Sequence, residues 1–372
     1  MATGTERNRT DTEVSVTGTG LESPASTTPA VLRRKGTLPR WAPLGILVAT
    51  AVVMAGLVAA IGFSIGLWVF LTAVGYGVAT YLASRIVEGA RKAADRLVTI
   101  VVTSAFLLAM VPLVSVLWTV VSQGWARFDA QFFTNSMRGV VGVGGGALHA
   151  IQGTLIITGL AALMSIPVGV LTAVYLVEYG NNSRLARSIT FFVDVMTGIP
   201  SIVAGLFAYA LFALLLGPGV RFGFVGAVAL TVLMIPIVVR STEEMLKIVP
   251  NELREASFAL GVPKWRTILK VVIPTTAGGI ATGITLAIAR VIGETAPLLV
   301  TVGLATGVNL NPFDGRMATL PVFSYYSYAV PGVPREPFLD RAWAAALVLL
   351  LIVMVLNVVA RLISRIYAPK TR

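Results

Sequence analysis

An arginine and a glutamate stand four residues apart in an otherwise apolar run, Arg290 and Glu294 within ITLAIARVIGETAPLLV (284–300). On a continuous helix that spacing places both on one face. A charge at membrane depth costs roughly 2.5–3.5 kcal/mol on insertion scales, so such residues face a protein interior or a pathway. A guanidinium stays charged and offers a planar fork of N–H donors matched to an oxyanion. The carboxylate beside it gives a means of choosing among oxyanions. It accepts a hydrogen bond from a P–OH, which phosphate keeps near neutrality, and it repels sulfate, which has no proton to offer. The same two residues also fit a buried ion pair that only locks helices together.

A second candidate lies upstream. Gly198-Ile199-Pro200-Ser201 interrupts an apolar helix near one membrane end. Amides freed by the break, with the Ser201 hydroxyl, suit an oxyanion if they line a pathway. A proline kink in a packed span fits those residues equally well.

The elements that must hold these groups follow from composition. Of 372 residues, 56% are hydrophobic and only 12% charged. Apolar runs of about twenty residues match a hydrocarbon core of roughly 30 Å at 1.5 Å per helical residue. The fold class expected is all-α and polytopic, with spans near 43–63, 65–83, 97–121, 149–177, 196–216, 222–240, 275–301 and 341–363. The first pair, turning near Gly62–Gly66, also fits a re-entrant hairpin. Residues 1–42 read as a disordered cytoplasmic tail, 43–96 as an extra transmembrane pair with its loop, 97–365 as the main membrane domain and 366–372 as a short tail.

The net charge of +12 does not call for nucleic acid, because lysine and arginine gather on the inner side of spans. With the N-terminus inside, 22 of the 29 basic residues fall on inner segments and six on outer ones, Arg290 being within a span. Both termini are therefore expected in the cytoplasm, in a multi-pass protein of the inner membrane. The chain has no cysteine and one histidine, His149, which excludes disulfides, thiol chemistry and multi-histidine metal sites. His149 reads as an interface residue. The glycine-rich GVGGGA (142–147) has no lysine in phosphate-loop register and reads as a flexible approach to a helix. Tyr325, Tyr326 and Tyr328 fit an interfacial aromatic belt. Gly279, Gly283 and Gly293 suit close helix packing.

Between Arg240 and Pro274 the chain is polar yet not loop-like. Asn251 after Pro250 suits a helix start, Glu252 and Glu255 suit its positive end, and Leu253, Ala256 and Leu260 form an apolar stripe that Gly261 and Pro263 stop. A second short helix carrying Trp265 leads to Pro274. Small residues at Ala256, Ser257 and Ala259 leave room for a close partner. A helix lying in the lipid headgroups fits this pattern too.

Glu255-Ala256-Ser257, three residues, Gly261, nine residues and Val271-Val272-Ile273-Pro274 resembles the EAA loop of ABC importer permeases, with serine for the third small residue. With GIPSIVAGLF (198–207) and ARVIGETAPLL (289–299), the chain is similar to the phosphate-specific permeases over roughly residues 97–365. The resemblance implies a type I importer transmembrane domain with a six-helix core, to which the first two spans are additions. It implies that Glu255, Ala256, Ser257, Gly261 and Pro274 serve a coupling loop seated on an ATPase. It also implies a substrate-pathway role for Arg290, Glu294, Thr197 and Ser201. The partners implied are a sister permease forming a heterodimer, two ATP-binding cassette subunits, an extracytoplasmic phosphate-binding protein and membrane lipid. The chain contains no phosphate loop of the G-x-x-x-x-G-K-[ST] kind, so ATP hydrolysis is assigned to a partner. No cofactor is expected. Other functions compatible with the residues are sulfate or molybdate import, a phosphate-sensing scaffold and secondary transport.

Overall fold

The computed structural model describes residues 36–180 and 183–367, with backbone only for the last two. The expected tails at 1–42 and 366–372 fall mostly outside the described residues. Every regular element among the described residues is helical. They separate into two compact units, one through Met110 and one from Val111.

The first unit holds α1 (Ala42–Ile61), α2 (Ile65–Val87) and the start of α3 (Ala90–Gly124). Helices α1 and α2 pack as a hairpin across Gly62, whose φ of +110° is one that glycine adopts without a Cβ penalty. At 20 and 23 residues both are long enough to cross a bilayer. The Trp68 indole donates to the Ala51 carbonyl at 2.9 Å and ties the pair. A polar clip closes the foot of α2. Glu88 accepts from Leu38 N–H (2.9 Å), the Ser84 hydroxyl (2.8 Å) and Arg96 (2.8 Å), and is buried. The Leu38 amide, with Arg96 and Ser84, outweighs burial and holds the Glu88 carboxyl down at about 2.

The second unit is built on α5 (Leu148–Val174), α8 (Gly223–Ile248), α11 (Ile273–Val291) and α14 (Glu336–Tyr367). Ile157, Leu230, Met234, Val238, Ala287 and Val291 form its largest apolar core. Small residues let the helices close. A Cβ on Gly169 would lie 2.7 Å from Val238, and one on Gly283 would lie 2.6 Å from Ser241. Gly279 packs against Met245 in the same way, whereas Gly293 is exposed with nothing near it and has no packing role within the chain.

Two expected spans are broken. The run at 196–216 is a pair, α6 (Arg184–Thr197) and α7 (Ser201–Leu216), bent by 110°. Pro200 lacks the N–H that a continuous helix needs and disfavours helical geometry at Ile199. The run at 275–301 divides into α11 and α12 (Ala296–Thr301). In an unbroken helix the Pro297 ring would meet the Gly293 carbonyl, so the chain turns at Ile292–Thr295.

The polar segment also differs from expectation. Helix α8 continues two turns beyond Arg240, and α9 (Asn251–Ala259) starts on Pro250, so Asn251 is its first residue rather than its cap. The second short helix, α10 (Lys264–Thr267), does not end at Pro274. A widened turn over Ile268–Val272, with Ile273 N–H bonded to the Ile268 carbonyl, carries it into α11. That extra residue per turn absorbs the missing N–H of Pro274.

Short helices α4 (Ala130–Thr134) and α13 (Leu320–Ala329) lie in the connections at the end of the unit opposite α9. The glycine-rich stretch there is a carbonyl cage. Gly142, Gly144 and Gly145 all have positive φ. Gly142 and Gly144 accept from the buried Arg341 guanidinium at 2.7 and 2.8 Å, and Gly145 accepts from Arg127 at 2.8 Å. The stretch is thus a fixed support around two arginines rather than a flexible approach.

Candidate functional site

Arg290 is exposed in the last turn of α11, while Val291 beside it is buried in the core. Glu294 is half-buried beyond the helix end, in the turn closed by its own N–H to the Val291 carbonyl at 3.1 Å. The expected single helix face is therefore absent, since the backbone turns between the two residues. Neither forms an ion pair among the described residues. An arginine free to meet an anion and a carboxylate set apart from it on a loop is what this arrangement offers.

The element after the break is firmly seated. A Cβ on Gly205 of α7 would lie 2.6 Å from Pro297 Cα, so α12 packs directly on α7. Leu298 and Val302 press on Gly226 of α8. The two breaks thus lie on adjoining elements: Ser201 is one turn before Gly205, and Glu294 three residues before Pro297. Ser201 is half-buried in the first turn of α7 and its hydroxyl has no internal hydrogen bond among the described residues. Thr197 differs. Its hydroxyl donates back to the Asp194 carbonyl at 2.6 Å, leaving only lone pairs to offer, which suits an oxyanion poorly.

On the opposite side of the helix breaks, α9 and α10 form a bent clamp. Gly261 sits at the bend with φ +74° and open space around its Cα, so glycine is needed there for backbone conformation, not for packing. Ser257 is buried and its hydroxyl meets Thr267 at 2.8 Å. It joins the two short helices to each other instead of presenting a small surface to a partner. Glu255, Ala256, Gly261 and Pro274 are exposed, as are Leu253, Phe258, Leu260, Trp265 and Leu269. This segment thus exposes five large apolar side chains.

The groups that hold this clamp escaped the sequence reading. Arg254 donates to Glu178 at 2.8 and 3.0 Å, to the Val249 carbonyl at 2.6 Å and to the Leu246 carbonyl at 3.0 Å. Lys264 bonds the Glu178 carbonyl and lies 4.9 Å from the Tyr179 ring centroid. Glu178 lies in a widened turn that ends α5, 76 residues before Arg254, and no local pattern links them. A further network joins Asp194 of α6 to Arg240, which bonds Glu243 at 2.7 Å, which in turn holds Lys247 at 2.7 Å. Its Arg240–Glu243 and Glu243–Lys247 steps, at i, i+3 and i, i+4, follow from spacing alone, whereas the Asp194–Arg240 step does not. No cluster of potential metal ligands occurs among the described residues.

Membrane-length helices, two helix breaks on adjoining elements and an amphipathic clamp fixed to the helix ends define a polytopic membrane protein. Residues 165–372 match the family of binding-protein-dependent transport system inner membrane components. The chain is 47% identical to the phosphate transport system permease protein PstA 1 of Mycobacterium tuberculosis (strain ATCC 25618 / H37Rv), over 72% of this chain and 87% of that protein. It is 37% identical to the phosphate transport system permease protein PstA of Yersinia pestis, over 77% of this chain and 95% of that one. Its fold is similar to a chain of a bacterial alginate ABC transporter crystallised with a pentasaccharide-bound periplasmic protein, with a TM-score of 0.54 at 13% identity, covering 77% of this chain and all of that one. The chain belongs to the ABC-importer inner membrane components and, within them, to the PstA phosphate transport permeases.

Proposed function

We propose that this chain is one half of a heteromeric importer that moves inorganic phosphate into the bacterial cytoplasm. A separate ATPase seats on the α9–α10 clamp, a sister permease completes the pathway, and an extracytoplasmic phosphate-binding protein delivers the substrate. Both termini lie in the cytoplasm, and ATP hydrolysis occurs in the partner. The observation that carries this reading is mechanical. From Lys264 to Val291 the chain is one helix of 28 residues. Its foot belongs to the clamp and its far end carries Arg290, about 40 Å away at 1.5 Å per residue. A push on the clamp therefore reaches the guanidinium without crossing a joint.

Arg290 attracts the anion, Glu294 accepts the P–OH hydrogen, and the Ser201 hydroxyl donates to an oxygen from the adjoining break. Thr197 acts through the α6–α7 corner that it closes. The expected result for the complex in lipid nanodiscs, with binding protein present, is ATP hydrolysis stimulated by phosphate and not by sulfate. Arg290→Ala removes the stimulation. An equal response to both anions would withdraw the substrate assignment. Stimulation surviving in the variant would take Arg290 out of the pathway.

A further inference from the structure

Helix α11 leaves one stripe uncovered. Thr282, Leu286 and Arg290, four residues apart in turn, are exposed on one face, while Ala287 and Val291 beside them are buried in the core. The stripe runs on to Gly293, which is exposed in the turn where the helix breaks. Glycine at this position answers no need of the fold. Its φ lies outside the left-handed region, and a Cβ built on it would meet nothing within 4 Å. What the missing side chain does is keep the end of the stripe open.

Gly293 also lines a cavity of about 330 Å³ set between the α11–α12 turn, α13 and α14. With Thr295 it forms the near wall, one residue on each side of Glu294. Tyr325 and Tyr328, three residues apart on α13, line the cavity and are each about half exposed. The Trp343 ring of α14 lies edge-on to Tyr328 at 5.7 Å. Pro321, Ala342 and Ala346 supply an apolar floor.

The polar groups of this cavity are neutral, and no charged residue lines it. The Ser324 hydroxyl is engaged by the Ala342 carbonyl at 2.9 Å. The hydroxyls of Thr295, Tyr325 and Tyr328 and the Trp343 indole N–H have no hydrogen-bond partner among the described residues. Four free donors around one space suit an oxyanion. The three hydroxyls also accept, so the set meets both the P–O⁻ and the P–OH of phosphate. An ion in transit must be held strongly enough to enter and weakly enough to leave. Neutral donors over an apolar floor satisfy both conditions, whereas a second guanidinium would retain the anion.

We infer, on the transport function proposed above, that this cavity is a staging site for phosphate on the way to Arg290. The anion rests, with part of its water shell, on the Thr295, Tyr325 and Tyr328 hydroxyls and the Trp343 N–H. It then passes over Gly293 to the guanidinium and Glu294. An aromatic belt facing lipid accounts for the two tyrosines, but not for the open glycine or for Thr295 beside Glu294.

The test is ATP-driven phosphate uptake by the whole importer in proteoliposomes, measured against the concentration of phosphate-loaded binding protein. Gly293→Leu narrows the passage at a point where its Cβ meets no atom of the chain. Tyr325→Phe/Tyr328→Phe keeps both rings and removes only the hydroxyls. Maximal uptake is expected to fall at least tenfold in the first and about three- to tenfold in the second. The concentration of binding protein giving half-maximal uptake stays at the wild-type value in both. Wild-type turnover in either variant overturns the inference, and in the tyrosine pair it returns those residues to the lipid belt. A raised half-maximal concentration with unchanged turnover assigns the cavity to docking and overturns it too. Loss of the sister permease from purified Gly293→Leu makes Gly293 a subunit contact, with the same consequence. If the wild type takes up no phosphate, the transport reading itself fails and the staging site falls with it.

Discussion

In the function proposed above, Glu294 is the residue on which anion selectivity turns. It is half-buried on a turn, and the proposal has it meet a protonated phosphate oxygen through its carboxylate lone pairs. Glutamine keeps the shape and can donate through its amide, so Glu294→Gln is expected to lower phosphate transport about 10- to 100-fold, the range of one unpaired buried group, and to admit sulfate. Parallel uptake assays with the two labelled anions check this, and unchanged phosphate uptake would remove the hydrogen-bond argument. Glu88 is the other carboxylate with an assignable effect. Its folded pKa, near 2, is depressed from an ordinary 4.5, so its contribution to stability is fully present above pH 4.5 and is lost as pH falls toward 2. Glu88→Gln removes that dependence. Thermal unfolding from pH 6 to pH 3 should show the wild type losing more stability than the variant. Spacing drew attention to Arg290 and Glu294, but their relation changed with the backbone turn between them. Ser257 was legible as a small residue, and only the fold showed that it faces Thr267.

At the scale of elements, Arg254 ties the clamp to the ends of two long helices at once, α5 through Glu178 and α8 through the Leu246 and Val249 carbonyls. Arg254 and Glu178 are both largely buried, at 13% and 5% side-chain exposure, so removing the arginine leaves an uncompensated carboxylate. Breaking a buried pair of this kind costs about 3–5 kcal/mol locally. Arg254→Ala is expected to release α9 from α5 and α8. In the reconstituted complex, ATP hydrolysis should continue while phosphate transport per ATP falls at least tenfold. Transport and hydrolysis measured on one sample distinguish this uncoupling from simple loss of assembly, which lowers both. The helix starts and stops of this region follow from Pro250, Gly261 and Pro263, which act on their own neighbours. The passage of the α10–α11 helix through Pro274 was not legible, because a widened turn satisfies the backbone in a way that no side-chain pattern announces.

For the whole molecule, the orientation proposed from the distribution of lysine and arginine has α9 inside and the 302–319 loop outside. The absence of cysteine makes this directly measurable. A single cysteine at Phe258 should react with a membrane-impermeant maleimide only in inverted vesicles, and one at Thr306 only in intact cells, both sites being exposed. Labelling of both from the same side would overturn the orientation.

Length, hydropathy and charge asymmetry are properties of a segment facing a solvent, so the sequence by itself determined a helical membrane protein, the position of its apolar runs and the polar, helical character of the segment after Arg240. Fixed spacing around Gly261 added the resemblance to importer permeases. Tertiary structure decided which apolar runs stay straight, because a proline's missing N–H can be met by a break, as at Pro200 and Pro297, or by a widened turn, as before Pro274. It also decided which distant charges meet. Glu178 finds Arg254 and the glycine carbonyls find Arg341 only after the helices have packed, and pairings across 76 and nearly 200 residues leave no trace in local pattern.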